Sequence, residues 1–302
     1  MKVVVLDDYQ GAVRRLDALR VLEGLPVELK VLAEHFPDEV ALVQAVGEDC
    51  ECLVPIRERN QITAGVIAAL PMLRLIVQTG RLSGAIDLEA CRKRGIVVRE
   101  GTGNPVAPAE LTWALVLAAS RRIVPYARRL ADGYWQRSSE AMETEQLGRA
   151  LHGRNLGVWA LGKIGNRVAA YGRAFGMRVL VHGREQSRTA AEQAGYEFVA
   201  DRREFIARAD VLTLHLKLTP ETRGMVSLED LLAMREDALL VNTSRAELLA
   251  PDALLSALAR GRPGQAALDV FEDEPAGAAA YVNHPAILCT PHLGFVEQDT
   301  YE

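Results

Sequence analysis

Residues 153–165 read GRNLGVWALGKIG, and this stretch decides the fold. Its apolar run is followed by a turn containing two glycines, and the next residues, Asn166–Phe175, have helical spacing. Strand, glycine turn and helix in this order are typical of dinucleotide sites, in which a pyrophosphate meets the N-terminus of a helix. A turn that merely contains glycines is the alternative. We predict that a nicotinamide dinucleotide binds at Ala160, Gly162, Lys163, Ile164 and Gly165, although Ala160 replaces the first glycine of the pattern.

The end of the next predicted strand bears on which dinucleotide binds. Enzymes that select NAD usually carry an acid there, which accepts a hydrogen bond from the ribose, but this chain has Gly183. Arg184, Ser187 and Arg188 follow, and guanidinium groups are good partners for a phosphate. We therefore predict cofactor contacts at Gly183, Arg184 and Ser187, and acceptance of NADP as well as NAD. Solvent-facing arginines with continued NAD binding are the alternative.

Short apolar runs alternate with helical segments along the whole chain, which predicts an α/β fold of two Rossmann-like domains with parallel sheets. We expect residues 1–99, joined by 287–302, to form a flavodoxin-like substrate domain, and residues 100–286 to form the dinucleotide-binding domain. Residues 105–130 predict one long helix between them. The predicted strands are Val3–Leu6, Glu28–Leu32, Cys52–Pro55, Leu73–Gln78, Leu156–Leu161, Arg178–His182, Val211–Leu214, Ala238–Asn242, Ala266–Asp269 and Ile287–Thr290.

The composition narrows the class of protein. The chain has 302 residues, of which 49% are hydrophobic and 25% charged, with a formal net charge of −5. That charge argues against a nucleic-acid partner, which needs a basic surface. No apolar stretch approaches the roughly 20 residues of a membrane helix, and the first apolar run is too short for a signal peptide. The four cysteines have no CxxC spacing, so we predict reduced thiols, no metal, and a cytoplasmic location.

Polar residues end three predicted strands in the second half of the chain. Arg245 follows one strand, carboxylates up to Glu274 follow the next, and His292 follows the last. The carboxyl ends of parallel strands form the ligand crevice of an open sheet. We therefore expect these three side chains to converge, although an ordinary salt bridge and a structural histidine are the alternatives for these residue types.

These segments resemble the D-isomer-specific 2-hydroxyacid dehydrogenase family. The resemblance covers nearly the whole chain and includes residues 106–110 (VAPAE), 157–165, 210–223 (DVLTLHLKLTPETR) and the three strand ends. It implies hydride transfer between NAD(P)(H) and a small D-2-hydroxy acid or 2-keto acid. By the same resemblance, His292 is the general acid and base, Glu274 orients it, and Arg245 binds the substrate carboxylate.

The resemblance implies further site residues and a partner. Asp269 would orient the nicotinamide carboxamide, and His215 and Thr222 would line the cofactor site, with a core histidine as the alternative for His215. Residues 80–87 (GRLSGAID) take the place of the family's glycine-rich substrate loop but look shortened and altered. Family members usually dimerise through the cofactor domain, so we expect a homodimer with residues 105–130 as its interface. The expected substrate contacts are Arg81, Leu82, Ser83 and Arg245.

Two other functions stay open. The same fold serves in some proteins as a dinucleotide-sensing binding protein without turnover, and such proteins keep the arginine, glutamate and histidine. A formate or phosphite dehydrogenase is the nearer rival, but Glu274 argues against formate oxidation because glutamine usually takes that place. Turnover of a panel of keto acids separates an enzyme from a sensor.

Overall fold

A five-stranded parallel sheet forms the centre of the smaller of two structural units, which comprises Met1–Asn104 and Glu297–Glu302. The structure, a computed structural model, describes residues 1–82, 84–136 and 147–301. The strands of this sheet are β1 (Lys2–Leu6), β2 (Glu28–Val31), β3 (Cys52–Pro55), β4 (Leu75–Gln78) and β5 (Val97–Glu100). They lie in the order β2-β1-β3-β4-β5, which is the flavodoxin-like order.

The helices of this unit begin at polar caps. Asp38, Thr63 and Asp87 each accept a hydrogen bond from the N–H three residues further on, which satisfies a free donor at the helix start. The helices are α1 (Glu39–Val46), α2 (Ala64–Ala69) and α3 (Leu88–Lys93), with 3-10 turns at Val13–Arg15 and Asp17–Leu22 and a terminal helix at Gln298–Tyr301.

A seven-stranded parallel sheet forms the centre of the larger unit, Pro105–Val296. Its strands are β6 (Asn155–Trp159), β7 (Arg178–His182), β8 (Glu197–Phe198), β9 (Val211–Leu214), β10 (Leu239–Asn242), β11 (Gln265–Leu268) and β12 (Ile287–Cys289). They lie in the order β8-β7-β6-β9-β10-β11-β12, so the order of the strands reverses between β6 and β9. Ligands of such folds bind beyond the carboxyl ends of the strands at this switch point.

Both faces of this larger sheet are buried. Val211 and Leu212, neighbours in β9, belong to two different apolar clusters, because successive side chains of a strand point to opposite faces. The helices that accompany the sheet are α4 (Val106–Ser120), α5 (Ile123–Ala131), α6 (Lys163–Ala174), α7 (Glu185–Ala194), α8 (Arg202–Arg208), α9 (Leu228–Ala233) and α10 (Ala253–Leu258), with 3-10 turns at Ala246–Leu248 and Ala276–Ala280. In the described ranges, none of the helices is both long and apolar enough to cross a membrane.

The α/β class and the two parallel sheets are confirmed, but the unit boundaries differ from the predicted ones. Residues 287–296, which we assigned to the smaller domain, lie in the larger unit because β12 pairs with β11. Only the residues from 297 onward return to the smaller unit. The first boundary also falls five residues later, at 104, because the unpredicted strand β5 pairs with β4. The two-residue strand β8 was also unpredicted.

The single helix predicted over residues 105–130 is wrong in its length. The structure has two helices, α4 and α5, and Arg122 between them adopts a left-handed conformation with φ of 54°. Pro125 supplies the physical reason, because it lacks an N–H and its ring collides with the carbonyl four residues earlier in a continuous helix. A proline is tolerated only in the first turn, which is where it lies in α5.

Candidate active site and dinucleotide site

The glycine turn joins β6 to α6 at the switch point of the larger sheet. Trp159 ends the strand, Gly162 immediately precedes the helix, and Gly165 is buried in the first helical turn. Ala160 has a φ of 76°, a left-handed conformation that glycine adopts more readily. Ala160 therefore departs from the glycine pattern in its side chain but has the backbone conformation that a glycine would adopt at this position of the turn.

The space around Gly162 and Gly165 shows why each position has a glycine. A Cβ on Gly165 would overlap with the carbonyl oxygen of Ala160, so packing requires glycine there. A Cβ on Gly162 would meet no protein atom within 4 Å. Lys163 is exposed beside it, Ile164 is half-buried, and the N–H groups of the first turn lack partners within the helix. This open cradle with the positive end of a helix dipole fits a pyrophosphate.

Ser187 supports the glycine turn from behind. Its side chain is buried, and its Oγ accepts a hydrogen bond of 3.1 Å from the N–H of Leu161. A Cβ on Gly183 would lie 2.7 Å from this Oγ, so an acidic side chain at that position has no room unless Ser187 moves. Position 183 therefore lacks the acid that usually selects NAD, and the packing of Ser187 against this position requires glycine.

The two arginines that follow Gly183 have different surroundings. Arg184 is exposed and immediately precedes α7, and its side chain makes no capping hydrogen bond. The guanidinium of Arg188 lies 4.8 Å from the centre of the Phe198 ring, and its Nε lies 3.5 Å from a carboxylate oxygen of Glu185. Arg188 is therefore engaged with the protein surface, and Arg184 is the better candidate for a ligand phosphate.

The loop after β9 contains His215 and Thr222. Thr222 is buried, donates to the carbonyl of Lys217 at 2.7 Å and accepts from the N–H of Thr219 at 2.8 Å, so it braces the loop. Burial lowers the pKa of His215 to about 4, so its ring is neutral at pH 7. Its Nε2 is buried and has no hydrogen-bond partner among the described residues. A buried polar atom of this kind needs a partner, and a ligand hydroxyl fits.

The catalytic candidates follow three neighbouring strands, β10, β11 and β12, and the structure brings them together. The Nδ1 of His292 lies 2.7 Å from Oε2 of Glu274. The other oxygen of Glu274 accepts a hydrogen bond of 2.9 Å from the N–H of Phe271, which holds the carboxylate in place. Glu274 thus fixes the orientation of the ring through Nδ1, and Nε2 is the ring atom left for exchange of a proton.

Opposing effects set the pKa of Glu274. Burial raises the pKa, but the hydrogen bond and charge of His292, the N–H of Phe271 and the charge of Arg245 together lower it below the usual value. Glu274 is therefore a carboxylate at pH 7, and its negative charge lies beside the ring of His292. Arg245 also donates from Nη1 to the carbonyl of Ser244 at 2.8 Å.

Asp269 anchors the backbone around His292. It is fully buried and accepts hydrogen bonds from the hydroxyl of Thr290 at 2.6 Å, the N–H of Leu293 at 2.7 Å and the N–H of Gly294 at 2.9 Å. His292 itself has a φ of 52°, a conformation that a residue other than glycine adopts only when its surroundings impose it. The hydrogen bonds that Asp269 accepts from residues on both sides of His292 impose this left-handed conformation.

The predicted substrate loop lies in the smaller unit, after β4. The side chain of Glu100 contacts both of the predicted substrate-binding residues that the structure describes in this loop. Nη1 of Arg81 lies 2.5 Å from one carboxylate oxygen of Glu100, and the N–H of Leu82 donates to the other at 2.8 Å. Ser83, the third predicted contact in this loop, lies outside the described residues. Sequence reasoning missed Glu100 because β5 was not predicted, although the apolar run Ile96–Val98 just before it was the available signal.

A family model supports the resemblance that these residues carry. The model described as D-isomer specific 2-hydroxyacid dehydrogenase, NAD binding domain, matches residues 113–294, more than half of the chain. The chain belongs to this family. The matched range includes the glycine turn, the loop after β9 and the three strand ends with Arg245, Glu274 and His292.

Known proteins of similar sequence and structure agree with this membership. The chain is 36% identical over 248 residues to a glyoxylate reductase of Aeropyrum pernix, covering 80% of this chain and 72% of the relative. It is 35% identical over 295 residues to a D-3-phosphoglycerate dehydrogenase of Methanocaldococcus jannaschii, covering 97% of this chain but only 53% of that protein. The crystal structure of a phosphoglycerate oxidoreductase from Vibrio cholerae is 48% identical, with a TM-score of 0.93 over 100% of this chain and 94% of the other.

Proposed function

We propose that this chain transfers a hydride between NAD(P)(H) and a small D-2-hydroxy acid or 2-keto acid. The observation that carries the proposal is the 2.7 Å contact between Nδ1 of His292 and Oε2 of Glu274, within reach of the charge of Arg245. Glyoxylate is a 2-keto acid and phosphoglycerate a 2-hydroxy acid, so the names of the two sequence relatives support the same class of substrate.

His292 is the residue proposed to exchange the proton. In reduction, Nε2 donates a proton to the substrate oxygen as the carbonyl becomes a hydroxyl, and in oxidation Nε2 takes that proton back. Glu274 holds the ring through Nδ1 and places a negative charge beside it. The planar guanidinium of Arg245 binds the substrate carboxylate and polarises the carbonyl, where developing negative charge is stabilised.

The cofactor is proposed to bind along the carboxyl edge of the larger sheet. The cradle at Gly162 and the first turn of α6 would hold the pyrophosphate, and Nε2 of His215 would meet a polar group nearby. When bound, the nicotinamide supplies the hydride. Ser187 and Thr222 act from behind, since both are buried and hold the backbone of the site. Asp269 keeps the segment around His292 in position.

A screen of NADPH and NADH oxidation over glyoxylate, hydroxypyruvate, pyruvate and longer 2-keto acids tests the proposed reaction. Turnover of one of these acids is the expected result. Micromolar cofactor binding without turnover of any acid would contradict an enzyme and favour the dinucleotide sensor. Such a screen also identifies the acid.

We further propose that NADP is accepted through Arg184. Arg184→Ala is expected to lower kcat/KM for NADPH by about tenfold or more, because a hydrogen bond to a charged phosphate is lost, and to change kcat/KM for NADH by less than about twofold. Steady-state kinetics with both cofactors measure this. Arg188→Ala is the matched control, since its guanidinium is held by Phe198 and Glu185. A large preference of the wild type for NADH, or equal effects of both variants, would contradict the role of Arg184.

A homodimer is the proposed assembly. Of the two helices in the predicted interface, α4 buries six residues in its own unit, whereas α5 has no buried residue within the described part of the chain. Ile123 and Leu130 of α5 are exposed apolar side chains that a second copy would cover. Sedimentation velocity at micromolar concentration tests this, and a monomer at every concentration would contradict it.

A further inference from the structure

The carboxyl ends of β3, β4 and β5 bring charged residues to one edge of the smaller sheet. Arg57 follows β3, Arg81 follows β4 and Glu100 ends β5. The N–H of Arg57 donates to Oγ1 of Thr79 at 3.0 Å, and the guanidinium of Arg57 lies over Gly80, at the position that a Cβ would occupy. The loop of residues 79–82, which we call the arginine loop, therefore carries one guanidinium group, that of Arg81, and has a second, that of Arg57, packed over Gly80.

Glu100 shows how the arginine loop binds a carboxylate. Each oxygen of its side chain meets a different donor, the Nη1 of Arg81 at 2.5 Å and the backbone N–H of Leu82 at 2.8 Å. These donors lower the pKa of Glu100, with the N–H of Leu82 contributing most, so the group is a carboxylate at pH 7. One guanidinium donor and one backbone donor arranged in this way form a binding site for any carboxylate of suitable shape.

The ion pair between Glu100 and Arg81 is weak enough for another carboxylate to replace Glu100. The side chain of Arg81 is 66% exposed and that of Glu100 33% exposed. Ion pairs that face solvent contribute little, because water screens the charges and both long side chains lose freedom. A ligand carboxylate that binds Arg81 therefore replaces the solvated Arg81–Glu100 ion pair by a similar ion pair of its own.

A buried amide beneath the arginine loop also points to a ligand. Gln78 ends β4 with a side chain that is 1% exposed, and its Nε2 donates to the carbonyl of Arg81 at 2.9 Å. Its Oε1 is buried and has no hydrogen-bond partner among the residues that the structure describes. Buried acceptors are rarely left unpaired. A polar hydrogen of a bound ligand, or of water that accompanies it, would satisfy this oxygen.

We propose that Glu100 is an internal competitor for the substrate carboxylate, occupying Arg81 and the N–H of Leu82 until substrate displaces it. Glu100 is thus a positioning residue that acts through Arg81 and sets the apparent affinity for the acid without taking part in the chemistry. The identity of the incoming carboxylate as a 2-keto acid rests on the proposed function. The carboxylate site itself rests on the contacts of Glu100.

Glu100→Gln tests this proposal, because glutamine still accepts from Leu82 but no longer pairs with Arg81. KM for the 2-keto acid is expected to fall by about two- to fivefold, the range of an exposed ion pair, while kcat and KM for the dinucleotide stay unchanged. Arg81→Gln is expected to raise KM for the acid by about tenfold, since a carboxylate partner is lost. In the Arg81→Gln background, Glu100→Gln is expected to have little further effect.

Glu89→Gln is the matched control, since Glu89 forms an exposed pair with Arg92 in the same unit but away from the arginine loop. Calorimetric titration of the full chain with oxalate, an inert dicarboxylate, supplies a readout independent of turnover. Oxalate is expected to bind Glu100→Gln more tightly than wild type and Arg81→Gln more weakly.

The outcomes separate this inference from the proposed function. Tighter oxalate binding by Glu100→Gln without turnover of any keto acid would sustain the inference and defeat the proposed function. A KM for the acid that rises or stays constant in a folded Glu100→Gln variant would overturn the inference, because Glu100 would then only support the loop. Oxalate that binds neither wild type nor Glu100→Gln overturns it as well.

Discussion

Replacing His292 by alanine is expected to lower kcat for keto-acid reduction by about 10²- to 10⁴-fold, the range that a positioned general acid contributes. The proton that we propose Nε2 supplies would then come from water, which Glu274 neither orients nor activates. Binding of the dinucleotide is expected to survive, because His292 lies in the segment after β12 and the glycine turn follows β6. Stopped-flow or steady-state oxidation of NADPH gives the rate, and a fluorescence titration gives the cofactor affinity.

Two further variants define the role of His292. His284→Ala is the matched control, since His284 is a histidine of the same unit whose Nδ1 accepts a local hydrogen bond of 3.2 Å from the N–H of Ala286. Glu274→Gln keeps the shape but removes the charge beside the ring, so an intermediate loss of kcat is expected. Full activity of His292→Ala would remove the proposed mechanism.

Alanine substitutions at the two later glycines of the turn are expected to separate packing from ligand binding. Gly165→Ala forces a methyl group against the carbonyl oxygen of Ala160. It is expected to destabilise the protein by about 1–3 kcal/mol, the usual cost of overpacking, and to weaken cofactor binding. Gly162→Ala adds a methyl group that meets no protein atom within 4 Å. It is expected to leave Tm nearly unchanged but to weaken dinucleotide binding by about tenfold or more, because the methyl group keeps the backbone from the pyrophosphate.

Thermal unfolding with and without cofactor measures both effects. Ligand that binds the folded state raises Tm of the wild type, and this rise is expected to shrink in Gly162→Ala although Tm without cofactor is retained. A Gly162→Ala variant that binds the dinucleotide as tightly as wild type would show that the pyrophosphate does not approach this glycine.

Much of the fold follows from local patterns. The strands β3, β7 and β9 have the predicted bounds, because an apolar run flanked by turn residues identifies a buried parallel strand without knowledge of its neighbours. The helix break before Ile123 was missed although three polar residues, Ser120, Arg121 and Arg122, interrupt the apolar pattern there. Pro125 carried the signal.

The sequence by itself determined the two parallel sheets, the glycine turn and the chemical types at the strand ends, since each depends on residues close together in the chain. Only the tertiary structure decided which distant groups meet. The pairing of β10, β11 and β12 brings Glu274 to His292, and the buried position of Asp269 directs it to the backbone around that histidine. The pairing of β4 with β5 brings Glu100 to Arg81. These contacts depend on strand order and register, which link residues far apart in sequence and are not encoded in any local pattern.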